Sequence, residues 1–216
     1  MTHAQILSEV LSIAKEKKAC ASEYRRAAQS TDMASLAAVL RDNFHWCCDN
    51  WLLTADTITR WGLREYGITC NEDVSSGYCL ATGSATVKAS DRATVTAYDR
   101  ATVEAFGSAT VKASDRATVT AFGSATVEAY DRATVRAYGS ATVKASDRAT
   151  VTAFGSATVE ASDRATVRAF GSATVKAFGS AYIHAPYNTI ECKLNDSAIL
   201  RHCNTITAAN GQTLTL

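Results

Sequence analysis

The chain has a single proline, Pro186, and nowhere a run of about 18 apolar residues, so no transmembrane helix is expected. Its first residues, MTHAQILSEVLSIAKEKK, lack the basic start and apolar centre of a secretory signal. A soluble, cytoplasmic protein is expected. Neither sign of charge is in excess: Lys plus Arg is 22, Asp plus Glu is 21, and the formal net charge is +1. With no basic stripe either, that balance argues against nucleic acid or an anionic membrane as a partner. Cysteine is missing from residues 83–186 altogether. The seven present, Cys20, Cys47, Cys48, Cys70, Cys79, Cys192 and Cys203, are odd in number and lie outside that stretch. They read as free thiols of a reducing compartment, the buried ones acting as small apolar side chains. No phosphate-binding loop and no dinucleotide fingerprint occurs.

What the chain does have is a repeat. From Gly83 to Pro186 thirteen octads follow one another, with the consensus Gly/Asp, Ser/Arg, Ala, Thr, Val, variable, Ala, Ser/Phe/Tyr. Ala, Val and Ala alternate with Thr and the variable residue, the two-residue period of a strand. In the first unit Ala85, Val87 and Ala89 are predicted to point inward, and Thr86 and Lys88 outward. Gly-Ser and Asp-Arg supply the turns. An eight-residue period keeps no stripe on a 3.6-residue helix. A strand this short cannot bury its apolar face alone, so identical coils are expected to stack around a continuous core.

The variable position decides how many octads make one coil. With two per coil, one outward row reads Thr96, Lys112, Glu128, Lys144, Glu160, Lys176, and opposite charges alternate. The other row, Lys88, Glu104, Thr120, Arg136, Thr152, Arg168, has no like-charged neighbours. With three per coil, Lys88, Lys112 and Arg136 would stack, as would Glu104 and Glu128, and like charges on adjacent strands destabilise. The predicted fold is therefore mainly β: a two-sided β-solenoid (β-helix) of stacked octapeptide strands, two octads per coil, with a small α-helical N-terminal domain. At about 4.8 Å per coil the regular part is a rod about 30 Å long. Its two edges differ. One carries Phe106, Phe122, Tyr138, Phe154 and Phe170 before Gly-Ser turns. The other carries Asp115-Arg116, Asp131-Arg132, Asp147-Arg148 and Asp163-Arg164, preceded mostly by small residues (Ser114, Ser146, Ser162, with Tyr98, Tyr130 and Phe178).

Three regions follow: 1–80 as an α-helical N-terminal capping domain, 83–186 as the regular solenoid, and 187–216 as degenerate solenoid strands forming a C-terminal cap or a docking edge. In the first, Thr2 caps a helix predicted to run to about Gln29. Ser30-Thr31-Asp32 opens a second helix, and Phe44, Trp46, Trp51, Leu52, Leu53 and Trp61 form a third apolar stretch. That domain either covers the first coil or is the functional part with the solenoid as spacer. Residues 68–82 read as a polar turn leading into irregular first strands. After Pro186 the octad frame persists, in Asn188-Thr189-Ile190, Asp196-Ser197-Ala198, Asn204-Thr205-Ile206 and Gln212-Thr213-Leu214, but its apolar phase shifts by one residue.

Chemistry-bearing clusters are thin. For zinc, His45, Cys47, Cys48, Cys70 and Cys79 are the candidates, yet no second closely spaced pair exists. Cys192 with His202-Cys203 is weaker still. His3, His45, His184 and His202 belong to no catalytic motif. No enzyme activity, metal or cofactor is expected. The turn Asp and Arg residues read as an exposed ion-pair ladder, weak per pair. Thr-x-Thr pairs of the kind that bind ice occur only at Thr94/Thr96, Thr118/Thr120 and Thr150/Thr152, and Arg136 and Arg168 interrupt that face. The column Phe106, Phe122, Tyr138, Phe154, Phe170 is the candidate interaction or stacking ladder, for sugars or another protein. The preferred reading is a corner zip between coils.

The Ala-Thr-Val-x-Ala octads with Gly-Ser or Asp-Arg turns resemble the short-period β-solenoid repeats of bacterial and bacteriophage proteins, over about half the chain. The resemblance implies the fold and hardly any function. The period is similar to that of ice-nucleation repeats, whose glycine, serine and threonine motifs are not matched. Pentapeptide-repeat proteins have another period and a negative charge that this chain lacks. The expected function is a non-enzymatic structural, scaffold or protein-interaction module that binds a protein partner or itself. The alternative is a ligand-binding solenoid presenting aromatic or Thr ladders to a glycan or to ice.

Overall fold

The computed structural model describes residues 1–186, 190–202 and 205–215. Five helices open the chain: α1 (His3–Glu16), α2 (Ala21–Ala28), α3 (Met33–Asp42), α4 (Phe44–Asp49) and α5 (Ala55–Arg60), followed by a short 3-10 turn, Leu63–Tyr66. Strands follow: β1 (Ile68–Cys70), β2 (Tyr78–Ala81), then β3 (Thr86–Ala89) to β14 (Thr174–Ala177), one per octad. The chain ends with β15 (Tyr182–Ala185), β16 (Glu191–Leu194), β17 (Ile199–His202), β18 (Thr205–Ala208) and β19 (Thr213–Thr215).

Successive strands alternate between two sheets. One holds β1 and the even-numbered strands to β16. The other holds the odd-numbered strands from β3 to β17, then β18 and β19. Neighbours in the stack are parallel and in register at sixteen residues, so Val127 lies between Val111 and Val143, and Glu128 between Lys112 and Lys144. The two-octad coil holds from β2 to β15. Opposite charges do stack, but among the described residues only Lys88 and Glu104, 3.9 Å apart, close into an ion pair along the rows. The alternation works by keeping like charges apart.

Between the sheets runs one apolar core. Its Val and Ala side chains, from Val87 to Ile183, are almost all fully buried. Each Val contributes about 1.5–3 kcal/mol before entropy costs, so stability is a sum over many equal interfaces.

The N-terminal part departs from expectation in three ways. Its first helix stops at Glu16 and does not continue to Gln29. Lys18 takes a left-handed φ of 56°, and the Ala19 amide donates back to the Ala14 carbonyl at 2.8 Å. This is a Schellman stop without its usual glycine, which is why the sequence pattern hides it. Second, the solenoid begins at Ile68, because β1 and β2 already pair in parallel, with Ile68 facing Tyr78. Third, the helices seat on the outer face of the even-numbered sheet at its first strands. Ile68 and Leu80 complete the helical core with Ile6, Leu36, Phe44 and Trp61. The first edge of the other sheet is covered by residues 73–74. Val74 bridges to Ala89, and the Lys88 amide donates to Asp73 Oδ1 at 2.8 Å.

At the far end, β14 pairs with β16 and β15 with β17 at a seventeen-residue step, Thr174 facing Glu191 and Tyr182 facing Ile199. That one extra residue is the phase shift seen in the sequence. The last two strands do not continue the coil: β17, β18 and β19 are antiparallel neighbours. Asn188, Thr189, Cys203, Asn204 and Leu216 lie outside the described residues.

Candidate functional site

The aromatic column forms as expected. Phe106, Phe122, Tyr138, Phe154 and Phe170 stack face to face with ring centroids 5.0, 5.2, 4.9 and 5.1 Å apart and planes within 12°. The rings are half-buried except Phe106, 37% exposed at the end of the column. The Arg168 guanidinium lies 5.6 Å from the Phe170 centroid. Both faces of Phe122, Tyr138 and Phe154 are spent on neighbouring rings and only their edges face outward, whereas a sugar stacks on a free face. The glycine turns beside the ladder are tight: a Cβ at Gly171, whose φ is 69°, would sit 3.1 Å from the Gly155 carbonyl oxygen.

The three Thr-x-Thr pairs do not share a surface. Thr118/Thr120 and Thr150/Thr152 lie on the odd-numbered sheet, separated by Arg136. Thr94/Thr96 lies on the other sheet, where Thr96 is fully buried under the helices.

The Asp-Arg edge corrects an expectation. Among the described residues no Asp of this edge comes within ion-pair distance of an Arg. Each Asp, from Asp99 to Asp163, has φ between 54° and 58°. Its carboxylate lies along the stack and accepts a backbone N–H from the coil before, Asp99 N–H to Asp115 Oδ2 at 3.2 Å and Asp115 N–H to Asp131 Oδ2 at 3.2 Å. An exposed ion pair is worth little, and a charge-assisted bond to an otherwise unpaired turn amide is worth more. The arginines line an open groove of about 1190 Å³ beside the Asp column.

The helical seat joins the remaining candidates. His45 Nδ1 lies 2.6 Å from Thr96 Oγ1. The Tyr98 hydroxyl and the Lys112 ammonium both donate to the Asp49 carboxylate. Burial pushes the Cys47 thiol up to about 12 and Cys48 well above the ordinary thiol range, and raises Cys70 to about 11. Thiols held protonated in this way are poor nucleophiles at neutral pH. Among the described residues no three His, Cys, Asp or Glu side chains come together as a metal site. The suggested Cys192–His202–Cys203 grouping falls partly outside the described residues. His184 is half-buried, between Arg168 and Arg201 on the neighbouring strands.

Burial, and then the nearby Lys112 charge, hold the His45 ring below its ordinary pKa. The folded ring stays neutral while the unfolded one takes a proton below about pH 6.5. The unfolded state then binds more protons, so stability falls as pH drops from about 6.5 to the lowered folded value, and levels off beneath it. Urea midpoints at about pH 7.5 and 5 are expected to differ less in His45→Gln than in the parent chain.

Sequence reasoning missed the seat itself. Its signal was Leu80, an apolar residue at an outward position, in register with Thr96. It also missed Trp51, which is 76% exposed. No family model matches the chain, and no curated protein or solved structure matches it either.

Proposed function

We propose that this chain is a non-enzymatic structural or interaction module, a rigid rod that sets a distance and carries a partner surface. The observation that supports this reading best is the unbroken Ala-Val core, identical from coil to coil, which gives stiffness and no polar machinery. The aromatic column fits the same role as a zip between coils, and its occupied ring faces weigh against the glycan alternative. The scattered Thr-x-Thr pairs weigh against ice. A cytoplasmic setting, a protein partner and independence of any cofactor belong to the same proposal, as does independence of nucleic acid and membrane, which the near-zero net charge supports. Kinship with the bacterial and bacteriophage short-period solenoids is likewise proposed, on the sixteen-residue coil.

The test is light scattering after size exclusion, over a concentration series, on the full chain and on one ending at Pro186. The full chain is expected to be a monomer. The shortened chain loses the strands beyond β15, bares parallel edges and is expected to associate. A full-length oligomer that becomes monomeric on truncation would instead make residues 187–216 the interface and assembly the role.

A further inference from the structure

A cavity of about 280 Å³ lies at the seam between the helical seat and the Asp-Arg edge. Leu53 and Leu80, both buried, give it an apolar lining. Trp51 and Tyr98 add aromatic surface, and Asp99 and Asp115 add carboxylates. Asp49 also borders it, but that charge is already met by Lys112. Asp99 and Asp115 each hold one backbone amide through a single oxygen, Gly83 N–H at 3.0 Å and Asp99 N–H at 3.2 Å. Among the described residues no Lys or Arg pairs with either, and none lines the cavity.

Trp51 is the second observation. It follows α4 with a left-handed φ of 59°, its amide bonded to the Cys48 carbonyl and the Leu52 amide to the Cys47 carbonyl. That is a Schellman stop, where glycine is the unstrained residue. A large aromatic sits there instead, 76% exposed. Folding gains little from it, and strain of this kind concentrates where a ligand is held.

We propose that this seam binds an alkylammonium group. Its apolar stem would lie against Leu53 and Leu80, and its charge between the Trp51 ring and the carboxylates of Asp99 and Asp115, joining cation–π attraction to ion pairing. A lysine side chain of a partner protein and a free aliphatic amine share that chemistry. The site stands whether or not the rod is a scaffold.

The test is a titration of the full-length chain followed by amide NMR, with N-acetyl-lysine methylamide, n-butylammonium and, as the uncharged control, N-acetyl-norleucine methylamide. Both cations are expected to shift the amides of Leu53, Thr82 and Asp99 with half-saturation at about 1–10 mM, and the control to shift none. Tighter binding of the lysine compound identifies a partner's lysine as the source; tighter binding of butylammonium identifies a free amine. Trp51→Gly and the double variant Asp99→Asn/Asp115→Asn are each expected to weaken binding at least about fivefold. Trp51→Gly should not lower the melting temperature, since glycine relieves the backbone. The Asn pair keeps the left-handed turns and the acceptor oxygens and is expected to lower it by a few degrees at most, through the lost charge on two turn bonds, with the fold intact. Equal binding of the norleucine control, absence of saturation, or unchanged affinity in the variants would overturn the proposal.

Discussion

Val143→Asp is expected to split the rod at its centre. Val143 is fully buried and stacks in register between Val127 and Val159. An aspartate there places a carboxylate between Ala and Val side chains, with no donor to meet it. Unpaired buried charge belongs to the group of substitutions that destabilise by more than about 4 kcal/mol. In a solenoid each coil touches only its neighbours, so the damage should stay local before it spreads. Hydrogen exchange is expected to show protection lost around Thr126–Ala161 and retained in β2 and β4 (Thr94–Ala97), which the helices hold in place. Uniform protection equal to that of the parent chain would mean that this position does not face the core.

The second large effect is expected from replacing Phe122, Tyr138 and Phe154 together by Ser. All four ring contacts of the ladder go at once, each worth about 0.5–1.5 kcal/mol beyond the buried area. The sum is about 4 kcal/mol. Serine suits the backbone, because Ser114, Ser146 and Ser162 occupy the matching place on the opposite edge. Thermal unfolding is expected to show a marked drop in midpoint with the β signal intact at low temperature. An unchanged midpoint would contradict the zip and return the column to ligand binding.

The regular part was legible because its surface charges discriminate between registers. Lys112, Glu128, Lys144 and Glu160 lie in a row only if sixteen residues make a coil, and the pairing follows that row. The ends were less legible because their signals depend on three-dimensional neighbours. Ile68 faces Tyr78 at a step of ten residues, outside the octad frame, so β1 read as a turn. Lys18 and Trp51 stop helices in a conformation that normally advertises itself with glycine. The return of β18 antiparallel to β17 leaves no mark in residues that still keep the octad spacing. At the Asp-Arg edge the residue types suggested ion pairs. Their use was decided by the left-handed turn, which aims each carboxylate at a backbone amide.

The claim on which the rest depends is that the rod is a stack of interchangeable two-octad coils. Small-angle scattering and thermal unfolding on two deletions test it most directly. Removing residues 123–138, one whole coil, keeps every later strand in its sheet and both edges in phase. It also sets Lys112 beside Lys144, so it is expected to shorten the particle by about 4.8 Å with only the small drop in midpoint of one like-charged pair. Removing residues 123–130, one octad, moves every later strand to the other sheet and breaks the aromatic column, and is expected to lower the midpoint clearly. If the single octad were lost without penalty and the whole coil were not, the two-octad coil would be wrong.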